Sequence, residues 1–275
     1  MTLRIAIVAD IHHGAPSHTK RGDTALPLLA RFADFVAQEK PDLVLDLGDR
    51  ISDVDEDTDL ALETEVAQAF KAIEVPVHHV CGNHDRDHLS VAQNEEILGQ
   101  ALASEVLDMG DWQIALWRAD ARISRTAEHR GFRLPEADLL WLSRMVQAAQ
   151  KPTLVVSHVP VSGHDQAGNY YFQRSPQYST YPEAHRARAA LAQARVPLVC
   201  LAGHVHWNTV TQLDGIPHLT QQSLTESFTT QGHPAEAWGL LTLTETVHWQ
   251  VFGRDPFEAR VTPHTGRWTP PLMPF

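Results

Sequence analysis

The sequence predicts an α/β fold, and two observations carry that prediction. Short apolar runs rich in valine, leucine and isoleucine recur at residues 3–9, 43–47, 153–157 and 198–202, as expected for buried strands. Between them lie longer segments whose apolar residues repeat with helical period. Strands that alternate with helices in this way form sheets covered by helices.

Several of the predicted strands end close to polar side chains. The runs at 43–47, 153–157 and 198–202 each stop just before an aspartate or a histidine. Loops that leave the carboxyl ends of strands can converge, while the sheet holds their first residues rigidly. The sequence therefore predicts a functional site at this edge of the sheet.

Apolar stripes predict the helices between the strands. The stripes are Leu28, Leu29, Phe32, Phe35 and Val36; Leu62, Val66, Phe70 and Ile73; and Leu139, Leu142, Met145 and Val146. Pro135 is placed to open the third helix. Two further strands are predicted at residues 111–117 and 238–252, the second broken near residues 244–246. We interpret all three stripes as faces that pack on the core.

Length and composition favour one domain. At 275 residues the chain can bury a substantial core, and it shows neither an internal repeat nor a linker long enough to separate domains. We therefore predict a single domain over residues 1–252 and an extended C-terminal tail over residues 253–275, which ends in the proline-rich residues 269–275.

Charge and hydropathy narrow the range of partners and of compartments. A net charge of −12 disfavours a nucleic-acid polymer, which needs clustered lysines and arginines, whereas a small anionic substrate can bind where cations are held. No segment approaches the roughly 20 apolar residues that span a bilayer. The run at 3–9 is too short for the apolar core of a signal peptide. We expect a cytoplasmic protein without a membrane partner, and a homo-oligomer is left open.

Five short stretches contain candidate metal ligands. In chain order they are Asp10-Ile11-His12, Gly48-Asp49, Gly82-Asn83-His84-Asp85, His158 and Gly203-His204-Val205-His206. Together they supply seven nitrogen and oxygen ligands and one further histidine, which is the set that a two-metal phosphoester hydrolase needs. A single Asp-x-His motif would be unspecific, but five blocks in this order are not.

These blocks resemble those of the calcineurin-like metallophosphoesterase family over residues 10–206, and most of all its bacterial branch of cyclic-nucleotide and glycerophosphodiester phosphodiesterases. The resemblance implies two mixed β-sheets packed as a sandwich and flanked by helices. It also implies a bridging role for Asp49 between two ions. The first ion would take Asp10, His12, Asp49 and His206, and the second Asp49, Asn83, His158 and His204.

Local geometry adds two expectations about the ligands. Asp10 and His12 lie two residues apart at a strand end, where a period of two points both side chains the same way. His204 and His206 would alternate on an extended segment, so they need a twist at Val205 or two ions close together. Mixed aspartate, asparagine and histidine ligation suits manganese, iron, zinc or cobalt.

The resemblance further implies the chemistry. A metal-bridging hydroxide would attack phosphorus in line, without a covalent protein intermediate. His84 adjoins a ligand without being one, and the equivalent histidine of the family protonates the leaving oxygen or stabilises the transition state. Histidine suits that task because its reference pKa of roughly 6.5 lets it give a proton near neutral pH.

Small phosphodiesters are the predicted substrates, with small phosphomonoesters as the alternative. Protein phosphatases of the family carry Gly-Asp-x-x-Asp-Arg-Gly and Gly-Asn-His-Glu, whereas here Asp53 follows Asp49 by four residues and the third block ends in Asp85. A non-catalytic metal-binding scaffold is a remote alternative, since such relatives usually lack ligands that are all present here.

The segment at residues 161–182 is predicted to cover the site and to select the alcohol portion of the substrate. It directly follows His158 and contains all four tyrosines of the chain. Tyrosine and arginine suit stacking and phosphate binding. The candidate substrate contacts are Arg50, Tyr170, Tyr171 and Arg174. The alternative interpretation is an ordinary surface loop whose aromatic rings pack on the body of the protein.

Overall fold

The computed structural model describes residues 2–126 and 130–265. The strands are β1 (Leu3–Val8), β2 (Leu43–Asp46), β3 (Val77–His79), β4 (Glu105–Met109), β5 (Trp112–Leu116), β6 (Ile123–Arg125), β7 (Arg130–Phe132), β8 (Thr153–Ser157), β9 (Leu198–Ala202), β10 (Thr209–Leu213), β11 (Ile216–Thr220), β12 (Trp238–Leu243), β13 (Val247–Phe252) and β14 (Phe257–Val261). The helices are α1 (Ala25–Glu39), α2 (Glu56–Phe70), α3 (Val91–Leu98), α4 (Glu136–Ala148) and α5 (Ala184–Leu191).

Two six-stranded mixed sheets build the fold, and β6 and β7 form a separate hairpin. The first sheet has the order β14-β13-β12-β1-β2-β3, and the second has the order β10-β11-β9-β8-β5-β4. Within them β1, β2 and β3 run parallel to one another, as do β5, β8 and β9. The first sheet therefore presents the carboxyl ends of three neighbouring parallel strands at one edge, and the second presents four, since β11 also runs parallel to β9.

The alternation of side chains along a strand explains how the layers pack. Ile5 and Ile7 on β1 face the other sheet and join one apolar cluster with side chains of β5, β8 and β9. Ala6 and Val8 point to the opposite face and pack under α1 and α2. The helices α4 and α5 cover the outer face of the second sheet in the same way. The predicted sandwich of two mixed sheets with flanking helices is confirmed.

The helices form where the apolar stripes predict them. In α1 the buried side chains include Leu28, Leu29, Phe32 and Val36. Pro135 is the N-cap of α4, where a fixed φ is no obstacle. The short helix α3 escaped sequence prediction, although Ser90 and Gln93 form a capping box at its start.

The predicted C-terminal tail begins too early. Residues of β14 pair antiparallel with β13, from Val247 opposite Val261 to Val251 opposite Phe257. Apolar side chains alternate with charged ones along β14, so one face packs on the inter-sheet core while the other meets solvent. The sheet thus extends beyond residue 252, and the proline-rich end at 269–275 lies outside the described residues. No described helix is both long and apolar enough to cross a bilayer.

Candidate metal centre

The candidate ligands lie on five loops at the carboxyl ends of parallel strands. Asp10 and His12 follow β1, Asp49 follows β2, Asn83 follows β3, His158 follows β8, and His204 and His206 follow β9. Both sheets therefore contribute to one site, as the positions of the strand ends predict. All seven side chains are buried.

The side chains gather into two groups that share one carboxylate. Asp10, His12, Asp49 and His206 form the first group, and Asp49, His158 and His204 form the second. Within each group the potential ligand atoms all lie within 4.8 Å of one another. The side-chain oxygen of Asn83 lies 3.3 Å from Nε2 of His158, at the edge of the second group. The structure thus brings all seven sequence-predicted ligands together.

The backbone places these ligands differently from the way the sequence suggests. Asp10, His12, Asp49, His204 and His206 have φ values of 51°, 49°, 54°, 70° and 59°. Residues other than glycine rarely adopt this left-handed region, and strain of this kind collects at functional sites. Asp10 and His12 do converge on one group, but through left-handed backbone at both residues and not through the period of two of an extended strand. His204 and His206 both have left-handed backbone and lie in different groups, as the alternative of two ions close together requires.

Close approach of backbone to carboxylate requires glycine at two of the motif positions. A Cβ atom added at Gly82 would overlap both the carboxylate and the backbone nitrogen of Asp49. A Cβ atom at Gly203 would come within 2.7 Å of Oδ2 of Asp10. The missing side chains therefore let both carboxylates enter the site.

Two of the ligand histidines have one ring nitrogen occupied by a backbone carbonyl. The Nδ1 atom of His158 lies 2.8 Å from the Leu47 carbonyl oxygen, and Nε2 of His204 lies 2.8 Å from the Tyr178 carbonyl oxygen. When the ring is neutral, donation to these carbonyls leaves the second nitrogen with a lone pair. For His204 that nitrogen, Nδ1, is buried without a hydrogen-bond partner among the described residues, as expected of a metal ligand.

The other two ligand histidines face each other. Nδ1 of His206 lies 2.8 Å from Oε2 of Glu226, which fixes the ring as partner carboxylates do in metal sites. The Nε2 atoms of His206 and His12 are 2.9 Å apart. Oδ1 of Asp10 lies 3.4 Å from Nε2 of His206. Two lone pairs and a carboxylate directed at one point match the requirements of a cation.

Electrostatics also favours cation binding. Burial raises the pKa of the Asp49 carboxyl, but His158 and His84 outweigh it and hold that pKa well below its usual value. Burial lowers the pKa of His158, yet Asp49 overcompensates and raises it to about 9. Burial and the neighbouring His158 lower the pKa of His204 to about 3, so that ring is neutral. The donor set of carboxylates, imidazoles and one amide therefore fits divalent cations, which would compete with protons here.

His84 lies beside the ligands but belongs to neither group. Its backbone N–H donates to Oδ1 of Asp49 over 2.8 Å, while its ring nitrogen Nδ1 bonds Asp53. Burial raises the pKa of Asp53, but the bond from His84 prevails and lowers that pKa to about 2. An ionised Asp53 orients the ring, so that Nε2 faces the pocket.

Sequence reasoning missed three residues around the ligands: Asp53, Glu226 and Lys20. Asp53 could have been found, since a second carboxylate four residues after Asp49 in a loop is a plain signal. Glu226 follows β11 without any motif. Lys20 is only 8% exposed and lines the same pocket as Asp49 and His84, yet nothing in the sequence marks it as buried.

The segment at residues 161–182 lies over the candidate ligands. The ring of Tyr171 is 5.3 Å from that of His206, and the ring of Phe172 is 5.1 Å from that of His204. Asn169 anchors the segment by donating to the Val205 carbonyl over 2.8 Å. Tyr170 is 49% exposed and stacks on Phe228, and Arg174 is exposed and does not line the pocket.

Arg50 is not a substrate contact, which corrects the sequence-based expectation. Its side chain is completely buried beneath the site. The guanidinium bonds Glu63 through Nε, and lies 2.9 Å from Oδ2 of Asp46 and 3.3 Å from Oδ2 of Asp85. Asp85 in turn accepts backbone N–H bonds from the loops that follow β2 and β3. This buried network fixes the two loops that hold Asp49 and Asn83.

Substitution of Arg50 by methionine should therefore destabilise the fold. Removing one partner leaves the buried carboxylates without compensation, which typically costs about 3–5 kcal/mol in the free energy of unfolding. Urea denaturation measures the effect. The control is Arg186→Met, whose surface pair with Glu136 is solvent-exposed and worth less than about 1 kcal/mol. Equal stabilities of the two variants would contradict this role for Arg50.

Four of the candidate ligands, Asp49, Asn83, His204 and His206, line a pocket of about 150 Å³. It is also lined by Lys20, His84, Ile123, Tyr171, Phe172 and Tyr178. Ile123 and Tyr178 also line a neighbouring groove of about 480 Å³. Arg125 and Arg130 lie along that groove. The pocket has room for a phosphate group, and the groove offers space for a larger substituent beside it.

Fold and site together define a metal-dependent hydrolase of phosphoric esters. A family model described as calcineurin-like phosphoesterase matches residues 3–208, and the chain belongs to that family. A comparison of the sequence with curated proteins gave no match.

Solved structures share the fold. A dimetal phosphatase from Danio rerio superposes with a TM-score of 0.75 at 17% identity, over 95% of this chain and 99% of that one. A purple acid phosphatase from yellow lupin (Lupinus luteus) seeds gives a TM-score of 0.60 at 13% identity, over 94% of this chain and 53% of that one. At these identities the likeness is one of fold.

Proposed function

We propose that the protein hydrolyses small phosphodiesters with two divalent cations, one in each ligand group. The observation that carries the proposal is the position of Asp49 in both groups, because a carboxylate with two oxygens can hold two cations close together. Manganese, iron, zinc and cobalt all suit this donor set. Asn83 would complete the second group through its side-chain oxygen.

Residues of the chain would donate the proton, orient the donor and exclude water from the site. When bound, the cations supply a nucleophilic water at neutral pH and neutralise charge on the phosphate. His84 presents Nε2 to the pocket and gives a proton to the leaving oxygen, while Asp53 keeps the proton of Nδ1 in place. Tyr171 and Phe172 shield the reacting atoms from bulk water. The described residues that line the pocket include no serine, threonine or cysteine, which is consistent with water as the nucleophile.

The groove beside the pocket favours a diester over a monoester. A diester carries a second substituent, and the groove that shares Ile123 and Tyr178 with the pocket gives it space. Arg130 lies along that groove and favours a substituent that has negative charge of its own, whereas Arg125 beside it already pairs with Asp87. Small phosphomonoesters are the alternative, since the two similar structures are named as phosphatases.

Turnover of a substrate panel tests the proposed function. Protein loaded with manganese is offered cyclic nucleotides, glycerophosphodiesters, nucleotides and sugar phosphates, and released alcohol and phosphate are measured. Higher kcat/KM for the diesters supports the proposal, and higher kcat/KM for the monoesters supports the alternative. Absence of metal-dependent turnover with all four classes would refute both.

The covering segment gives a prediction about substrate selection. Tyr171→Ala should raise KM or shift the preference among diesters, because its ring lines the pocket and its hydroxyl lies 2.8 Å from Oγ1 of Thr19. Metal content should stay unchanged. Tyr170→Ala should have a smaller effect, since that ring lies outside the pocket lining, and exposed Arg174→Ala serves as the control. Kinetics of Tyr171→Ala identical to those of the control would exclude a role of this segment in selection.

A further inference from the structure

Lys20 is a buried cation that faces the pocket. Its side chain is only 8% exposed, and it lines the pocket together with Asp49, Asn83 and His84. No carboxylate of the described residues lies within 4.0 Å of its ammonium group, and four carboxylates act on it from farther away, namely Asp49, Asp53, Glu226 and Asp10. Burying an ammonium group without a close counter-charge is costly. An anion bound in the pocket would remove that cost.

The two closest side-chain neighbours of Lys20 cannot serve as its partners in a working site. Its Nζ atom lies 3.5 Å from Nδ1 of His12 and 3.5 Å from Nε2 of His84. His12 directs Nε2 at the first ligand group, so its Nδ1 carries the proton and cannot accept. His84 needs a proton on Nε2 if it is to act as an acid. Lys20 and His84 then offer two neighbouring donors with no acceptor between them.

The backbone around Lys20 is fixed before any ligand binds. Its N–H donates to the Ser17 carbonyl over 2.7 Å, and the next N–H donates to the Thr225 carbonyl over 3.0 Å. Thr19 bonds the hydroxyl of Tyr171 through its side chain. A donor that is held in place by the fold needs no reorganisation when charge develops on a substrate.

We propose that Lys20 and His84 together clamp one oxygen of the substrate phosphate. The proposal rests on the proposed function in one respect, namely that a phosphoryl group occupies the pocket. The ligand class is a tetrahedral oxyanion, represented by inorganic phosphate as well as by the phosphoester itself. Lys20 would contribute its fixed positive charge and one hydrogen bond, while His84 contributes the transferable proton.

Replacement of Lys20 tests the clamp. For Lys20→Met in the metal-loaded protein we expect kcat/KM to fall by about 10²-fold, the usual loss for one donor to a developing charge. We also expect the dissociation constant of inorganic phosphate, measured by calorimetry, to rise by about tenfold. Lys20→Arg should recover part of both losses because it restores the charge. The control is Lys151→Met, which removes an exposed lysine paired with Asp108.

Metal content and phosphate affinity separate the possible outcomes. Unchanged phosphate affinity in Lys20→Met would overturn the clamp, and so would a loss of metal parallel to the loss of activity, since Lys20 would then act by ordering His12. If Lys20→Met does not fold, Lys20→Arg and Lys20→Gln decide: phosphate affinity that is equal in both overturns the clamp, and affinity retained only by the arginine supports it. A wild-type protein that binds phosphate through Lys20 but hydrolyses no ester refutes the proposed function and leaves the clamp standing.

Discussion

Asp49→Ala should lose metal from both positions of the site and with it nearly all turnover. Asp49 is the only residue that belongs to both ligand groups of the described chain, so the substitution removes a ligand from each. It also removes the negative charge that offsets repulsion between two neighbouring cations. Elemental analysis of the purified variant, alongside wild type loaded in the same buffer, measures the loss directly.

Two comparisons make the Asp49 experiment specific. Asp49→Asn keeps the size of the side chain and one oxygen, so it should retain more metal than Asp49→Ala. Asp108→Ala removes an exposed carboxylate of β4, and its metal content should equal that of wild type. An Asp49→Ala protein that still binds two equivalents, or a metal-loaded wild type that holds a single ion, would contradict the proposed two-cation site.

Sequence alone predicted much of the fold because local patterns encode it. The stripe in α1 and the apolar runs of β2, β8 and β9 follow the periods of helices and strands, and these elements form where predicted. The edge strand β14 was missed, although Phe257, Ala259 and Val261 alternate with charged residues. An alternating edge strand carries a weaker signal than a fully apolar one.

The candidate site shows where sequence reasoning reaches its limit. The ligands could be found because each lies in a short motif at the end of a predicted strand. Lys20 and Glu226 could not, since neither belongs to a motif at a strand end, and only the folded loops bring Lys20 to His84 and Glu226 to His206. Arg50 was wrongly predicted as a substrate contact because a charged residue next to Asp49 suggests that role. Only tertiary structure reveals that Glu63, Asp46 and Asp85 surround it.

Backbone conformation is a second limit. Sequence indicated that paired ligands such as Asp10 and His12 would align by the period of a strand. The structure instead uses left-handed backbone at both residues. Aspartate and histidine adopt left-handed backbone more often than most residues but far less regularly than glycine, so the local sequence contains only a weak signal for it.

His84→Asn should lower turnover by about 10²- to 10⁴-fold, the range typical of a positioned proton-transfer group. Metal content should change little, because the bond that His84 makes to Asp49 comes from its backbone N–H and survives the substitution. Steady-state kinetics with matched metal loading measures the first effect, and elemental analysis measures the second. A substantial loss of metal in this variant would show that the ring supports the ligands and would contradict a purely chemical role.

The leaving group distinguishes proton donation from charge stabilisation at His84. An acidic leaving group such as p-nitrophenol departs without help, so His84→Asn should lose less activity on its esters than on alkyl esters. Asp53→Asn should show the same dependence with a smaller loss, since Asp53 acts through the Nδ1 atom of His84. Equal losses on activated and alkyl esters would exclude the acid role and leave His84 as a hydrogen-bond donor to the phosphate beside Lys20. The leaving-group dependence therefore decides whether the clamp at Lys20 and His84 holds the phosphate only or also delivers the proton that releases the alcohol.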